Sequence, residues 1–96
     1  MSKIFITMRL LPDGASHTLF GRVAGALEQL IEAGSVGCTP FTHPGPRWSS
    51  YVHLLRIRGL EVDTLRESHG GQFPGTHARY ALRSPVEVVE SWRDQK

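Results

Sequence analysis

The sequence predicts a small α+β fold. Two stretches carry apolar residues at the helical period and stop at glycine, a run ahead of them alternates side to side, and after the second glycine the period changes from helical to two. Ninety-six residues make one domain, 1–96. A chain of that length buries only roughly 60–65% of the surface its unfolded form exposes, which argues against a large enclosed cavity.

Residues 3–11 place Ile4, Ile6, Met8 and Leu10 on one side and Phe5, Thr7, Arg9 and Leu11 on the other, a strand that ends in the turn residues Pro12, Asp13 and Gly14. From Thr18 to Ala33 the positions Phe20, Val23, Leu27, Leu30 and Ile31 recur at steps of three and four, and Gly34 stands where a left-handed residue ends a helix. Gly21 and Gly25 each cost about 1 kcal/mol against Ala inside a helix, so the helix starts later than Thr18 or packs closely there. Residues 35–38 form a short connection with room for one or two strand residues. Thr39 and Pro40 read as an N-cap and first helical position of a brief helix, interrupted by Pro44, Gly45 and Pro46. A longer helix runs from about Arg47 to Arg58 with Trp48, Val52 and Leu55 on its core stripe and Gly59 at its end. Leu60, Val62 and Thr64, then Ala78, Tyr80 and Leu82, form a hairpin whose long tip spans His69, Gly70, Gly71, Pro74 and Gly75. The tail from Pro85 fits two patterns: Val86, Val88 and Glu90 continue a strand, whereas Val86, Val89 and Trp92 have helical spacing.

At 40% apolar and 21% charged residues the composition is that of an ordinary globular chain. The single cysteine, Cys38, cannot close an intramolecular disulfide, which points to a reducing compartment, the cytoplasm by default. No apolar run approaches the roughly 20 residues that span a bilayer, and no signal-peptide pattern is present. The net charge of +2 is unevenly spread. Residues 1–42 balance, residues 84–96 are slightly acidic, and residues 43–83 carry Arg47, Arg56, Arg58, Arg66, Arg79 and Arg83 against Glu61, Asp63 and Glu67.

The order helix, short strand, brief helix, long helix, strand, glycine-bearing tip, strand resembles the winged helix-turn-helix superfamily, and within it the small winged-helix proteins of phages and prophages. The likeness rests on residues 51–64, where a helix ends in an arginine-rich turn and glycine and enters a strand, and on residues 77–82 as the returning strand. It covers a core of residues 18–83, with the strand 3–11 and the tail 84–96 as additions. Its fold implies three helices, the second short, with a C-terminal hairpin wing. Its function implies binding to double-stranded DNA in transcription or as a recombination accessory. One departure is plain: Thr39 to Pro46 is proline-rich and shorter than the family's usual helix and turn.

On a wheel of about 100° per residue, Trp48, Val52, Leu55 and Gly59 cluster as the core side of the long helix. Arg47, Ser50, His53, Leu54 and Ile57 lie opposite. The N-terminal part of a recognition helix meets base edges in the major groove, which nominates Arg47, Ser49, Ser50 and Tyr51, with His53 and Leu54 behind them. In the wing Arg66, His69, Gln72, His77 and Arg79 are placed to reach phosphates or a minor groove. Arg56 and Arg58 serve at least as well as solvated charges completing a helix end, and Trp48 and Tyr80 read as packed aromatics. His69 and His77 face each other across the hairpin without the four ligands a zinc site takes. Cys38 reads as a small buried residue. No phosphate loop, metal signature or nucleophile set is present, so neither catalysis nor a cofactor is expected.

One module offers a small contact area, which predicts a homodimer on paired half-sites. The strand at residues 3–11 is the candidate dimer element because so small a core cannot cover both its apolar faces. Pairing of that strand with residues 86–90 of the same chain is the competing arrangement. A winged-helix module that binds protein through Leu54 and Ile57, without DNA, is the alternative function.

Overall fold

A computed structural model describes residues 4–12, 14–43, 47–72 and 74–93. The expectations placed on Lys3, Asp13 and the interruption at Pro44, Gly45 and Pro46 lie outside the described residues. The elements follow in the order β1 (Ile4–Leu10), β2 (Ser16–Phe20), α1 (Gly21–Ala33), α2 (Trp48–Ile57), β3 (Val62–His69), β4 (Gly75–Leu82) and β5 (Val86–Arg93).

β1 is the middle strand of an antiparallel sheet ordered β2-β1-β5. Its inward residues Ile6 and Met8 join Leu19 of β2 and Ala24, Leu27 and Leu30 of α1 in one core. The period-two pattern of this strand is therefore expressed as expected, but the strand is not free to pair with a second copy. β2 occupies one edge through Phe5↔Phe20 and Thr7↔Thr18, and β5 occupies the other through Phe5↔Trp92 and Thr7↔Glu90. Of the two arrangements open to it, the intrachain one forms, and the tail is a strand with one bulge opposite Thr7 and Met8.

The first helix begins at Gly21, not Thr18. Residues 16–20 extend instead because they gain backbone partners on β1, which buries Leu19 and turns Phe20 outward, 69% exposed. Phe20 is thus the last strand residue rather than part of a helical stripe. Beyond Ala33 a single 3-10 turn, Gly34–Val36, leads to Cys38.

The brief helix expected at Pro40 is one turn, which leaves two α-helices among the described residues where three were expected. Thr39 acts as its cap all the same: its Oγ1 accepts from the N–H groups of Phe41 and Thr42 at 3.2 and 3.1 Å, and its own N–H donates to Thr42 Oγ1 at 3.0 Å. The His43 N–H closes the turn on the Thr39 carbonyl at 2.9 Å. A sequence with prolines at 44 and 46 leaves no length for a second turn.

α2 buries Trp48, Val52 and Leu55 as its spacing predicts. It ends in a Schellman arrangement, in which the Leu60 N–H donates to the Leu55 carbonyl and the Gly59 N–H to that of Arg56, at 3.2 and 3.0 Å. Gly59 supplies the positive φ of +94° this requires, and the buried Leu55 and Leu60 close the hydrophobic contact beneath it.

β3 and β4 form the predicted hairpin, from Val62↔Leu82 at the base to His69↔Gly75 at the tip. Cys38 adds a single residue of pairing to β4: its N–H donates to the Tyr80 carbonyl at 2.7 Å, and the Tyr80 N–H donates back at 2.9 Å. Tyr80 stacks on Trp48 with ring centroids 6.1 Å apart and planes 20° from parallel, and the Trp48 indole N–H donates to the His43 carbonyl at 2.7 Å. Both aromatics are core, as expected. α1 packs on β1 and β2 and also on α2 and β4, so it joins the sheet to the helix and hairpin.

Gly37 makes the Cys38 contact possible. It holds φ +80° and ψ −175°, a region essentially closed to other residues, and a Cβ there would collide with the Tyr80 carbonyl oxygen. Gly25 is different, because a Cβ there would meet nothing within 4 Å. Gly37→Ala is therefore expected to destabilise the chain by about 2–4 kcal/mol through backbone strain and loss of the bridge. Gly25→Ala should raise stability by about 0.5–1 kcal/mol. Urea denaturation of the two variants checks the pair, and equal effects would contradict this account of Gly37.

Candidate nucleic-acid interface

The outward side of α2 is open along its length. Arg47 stands at its N-cap, and Ser49, Ser50, His53, Leu54 and Ile57 are exposed, Leu54 at 46% and Ile57 at 65%. Tyr51 is half-buried against the core, so of the nominated N-terminal residues it is the least available to a base edge.

The hairpin sorts the nominated wing residues onto opposite faces. Val62, Thr64, Arg66 and Ser68 share one face with Leu82, Tyr80, Ala78 and Thr76. This is the face α2 packs on, since Tyr80 stacks on Trp48 and the Arg56 guanidinium donates to the Val62 carbonyl and to Thr64 Oγ1 at 2.5 and 2.9 Å. Arg66 lies on this face opposite Ala78 and is exposed. Gln72 is exposed at the tip, beside Gly71 with φ +101°.

The other face carries His69, His77 and Arg79, and these are occupied. Arg79 donates from Nε to Glu67 Oε2 at 2.5 Å, from one terminal nitrogen to Glu67 Oε1 and from the other to the Val36 carbonyl, both at 3.1 Å. His77 Nε2 lies 3.1 Å from Glu67 Oε1, and His77 Nδ1 lies 2.9 Å from His69 Nδ1. An ionised carboxylate only accepts, so His77 carries its hydrogen on Nε2 and, when neutral, receives the His69 Nδ1–H on the other nitrogen. Phe41 meets both imidazole rings edge-on, at 5.1 and 5.0 Å. His69, His77 and Arg79, nominated for phosphate contact, are each placed in a cluster centred on Glu67. The two histidines do face each other as expected, and among the described residues no group of three His, Cys, Asp or Glu side chains is placed to hold a metal.

The same division runs through the arginines. Arg83 pairs with Asp63 at 2.6 Å, Arg79 with Glu67, and Arg56 is spent on β3. Arg47, Arg58 and Arg66 are exposed and make no ion pair among the described residues. Pattern reading missed Glu67 and Asp63 as partners. The signal was available in the register, since Glu67 is directly opposite His77, and Arg79 is a diagonal neighbour on the same face.

The hydrogen bond from Arg79, with its positive charge and the contact to His77, holds the Glu67 carboxyl below its usual range against the opposing effect of desolvation. Cys38 is fully buried, and burial pushes its thiol up, with Arg79 partly offsetting it. That is the inert character expected of a small core residue.

A helix presented outward, preceded by a single hydrogen-bonded turn and flanked by a two-stranded hairpin, defines a helix-turn-helix protein with a wing. A family model described as a winged helix domain matches residues 16–92, and the chain belongs to that family. No curated protein and no solved structure matches it. The match takes in most of β5, beyond the core of residues 18–83 that the sequence motifs delimit. No helix among the described residues is long and apolar enough to cross a membrane.

Because the folded pKa of Glu67 lies below its unfolded value, its stabilising contribution is present above the ordinary glutamate range, near about 4.3, and is lost as pH falls through the depressed folded value. Glu67→Gln should lower the urea midpoint at neutral pH, and the gap from the parent should close on acidification. A gap that stays constant with pH would assign the effect to packing instead.

Proposed function

We infer that this protein binds double-stranded DNA, with α2 in the major groove and the α2-facing side of the hairpin on the adjacent backbone. The single observation that carries this reading is the placement of the arginines within residues 43–83 that make no ion pair among the described residues: Arg47 and Arg58 at the two ends of α2, and Arg66 on the hairpin face that α2 packs on. Membership of the winged helix domain family supports it. Arg47, Ser49, Ser50 and His53 are the side chains offered to base edges, and the exposed Leu54 suits a thymine methyl. Arg66 and Gln72 serve the backbone, and Arg58 joins them.

The chain acts by binding, without catalysis or cofactor, as a cytoplasmic regulator of transcription or recombination of the kind the phage resemblance implies. A single module buries about 600–1,000 Å² of its own surface on DNA, so two copies on paired half-sites supply the affinity. A protein-binding role without DNA is the second reading. The observation favouring it is the exposure of Leu54 and Ile57 side by side on the outward helix face.

The two readings separate in a salt titration of random-sequence duplex, measured by fluorescence anisotropy. Each phosphate contact contributes about 0.9 to the logarithmic salt slope. Arg47→Ala and Arg66→Ala should each leave the fold intact, weaken binding and flatten that slope by about one. Absence of binding at low salt, or an unchanged slope in the double variant, sinks the DNA reading.

A further inference from the structure

Among the described residues, the sheet β2-β1-β5 turns one face to α1 and leaves the other uncovered. In strand register the open face consists of three rows. Phe20, Phe5 and Trp92 form the first across all three strands, with the Phe5 and Phe20 rings 6.2 Å apart and Phe20 and Trp92 69% and 49% exposed. Thr18, Thr7 and Glu90 form the second, with the two threonine hydroxyls bonded at 2.8 Å. Ser16, Arg9 and Glu87 form the third, where Arg9 and Glu87 pair at 2.6 Å.

We propose that this open sheet face is the surface through which two copies of the chain associate, by a two-fold axis running parallel to β1. Such an axis preserves each row and exchanges β2 with β5. Phe20 then lies over the partner's Trp92, Phe5 over its own counterpart, and each Thr18 hydroxyl over the partner's Glu90 carboxylate. Arg9 meets its counterpart with both charges already neutralised by Glu87. A two-fold perpendicular to the strands would instead set the aromatic row on the Arg9 and Glu87 row, leaving apolar rings against charges. Single-stranded nucleic acid, the other occupant that aromatic rows attract, is disfavoured by charge, since among the described residues the face carries Glu87 and Glu90 against Arg9.

An aromatic side chain buries about 150–250 Å² in all, and Phe20 and Trp92 still expose 69% and 49% of theirs, so the contact reaches the roughly 800 Å² per partner of a standard interface only if the polar rows are covered with them. Aligned sheets pack about 10 Å apart, which those rings fill. The contact leaves the outward side of α2 free. This proposal does not rest on DNA binding, and its test contains no DNA.

Sedimentation or light scattering over a concentration series should give a mass twice the 10.7 kDa chain. Phe20→Glu with Trp92→Glu should yield a monomer with unchanged circular dichroism. Val88→Lys, at a part-exposed position in register with Met8 and so on the α1-facing side of β5, should leave the dimer in place. Two milder variants keep the test independent of the double one: Thr18→Glu should weaken the dimer at least tenfold, and Thr18→Lys should tighten it. A parent chain monomeric throughout, a dimer that survives the aromatic double variant, or one abolished by Val88→Lys overturns the proposal.

Discussion

Two hydrogen bonds between Cys38 and Tyr80 hold the hairpin to the helical half of the molecule. They can form only because Gly37 approaches the Tyr80 carbonyl without a side chain. Tyr80 in turn stacks on Trp48, whose indole reaches back to the turn that Thr39 caps. One backbone contact therefore fixes three things together: the start of α2, the position of the hairpin beside it, and the course of the shortened turn. A winged helix recognises a ligand through the relation between its helix and its wing, so the geometry of the interface depends on this contact more than on any surface residue.

The Glu67 cluster serves the same end from the opposite hairpin face. It binds Arg79 to Glu67 and to the Val36 carbonyl just ahead of Cys38, while Phe41 of the capped turn closes on His69 and His77. The charge of Arg79 is thereby paired within the chain. The local excess survives because Arg47, Arg58 and Arg66 remain uncommitted. A modest net charge of +2 is compatible with a defined basic surface once the paired residues are set aside.

Where a pattern is local, the sequence discloses the structure. α2 with its buried Trp48, Val52 and Leu55, its glycine-terminated end, the cap at Thr39 and the hairpin strands all follow from periodicity and residue chemistry within a few positions. β2 was illegible because Ser16, His17 and Thr18 carry no apolar pattern, and only partners on β1 make them a strand. β5 fitted helix and strand equally until β1 supplied its neighbour. The brief helix was overextended because a cap signal sets where a helix begins, not whether the chain has room to continue. For the site, outward residues of α2 were readable from the wheel, whereas the two faces of the hairpin were not, because α2 sits on only one of them.

The most direct measurement is a map of backbone amide shifts in isotopically labelled protein titrated with duplex DNA at low salt. Perturbations are expected to concentrate at residues 47–58 and along the Thr64, Arg66 and Ser68 face of β3. Shifts confined to the Glu67 side of the hairpin, or to the open face of the β2-β1-β5 sheet, would contradict the proposed interface.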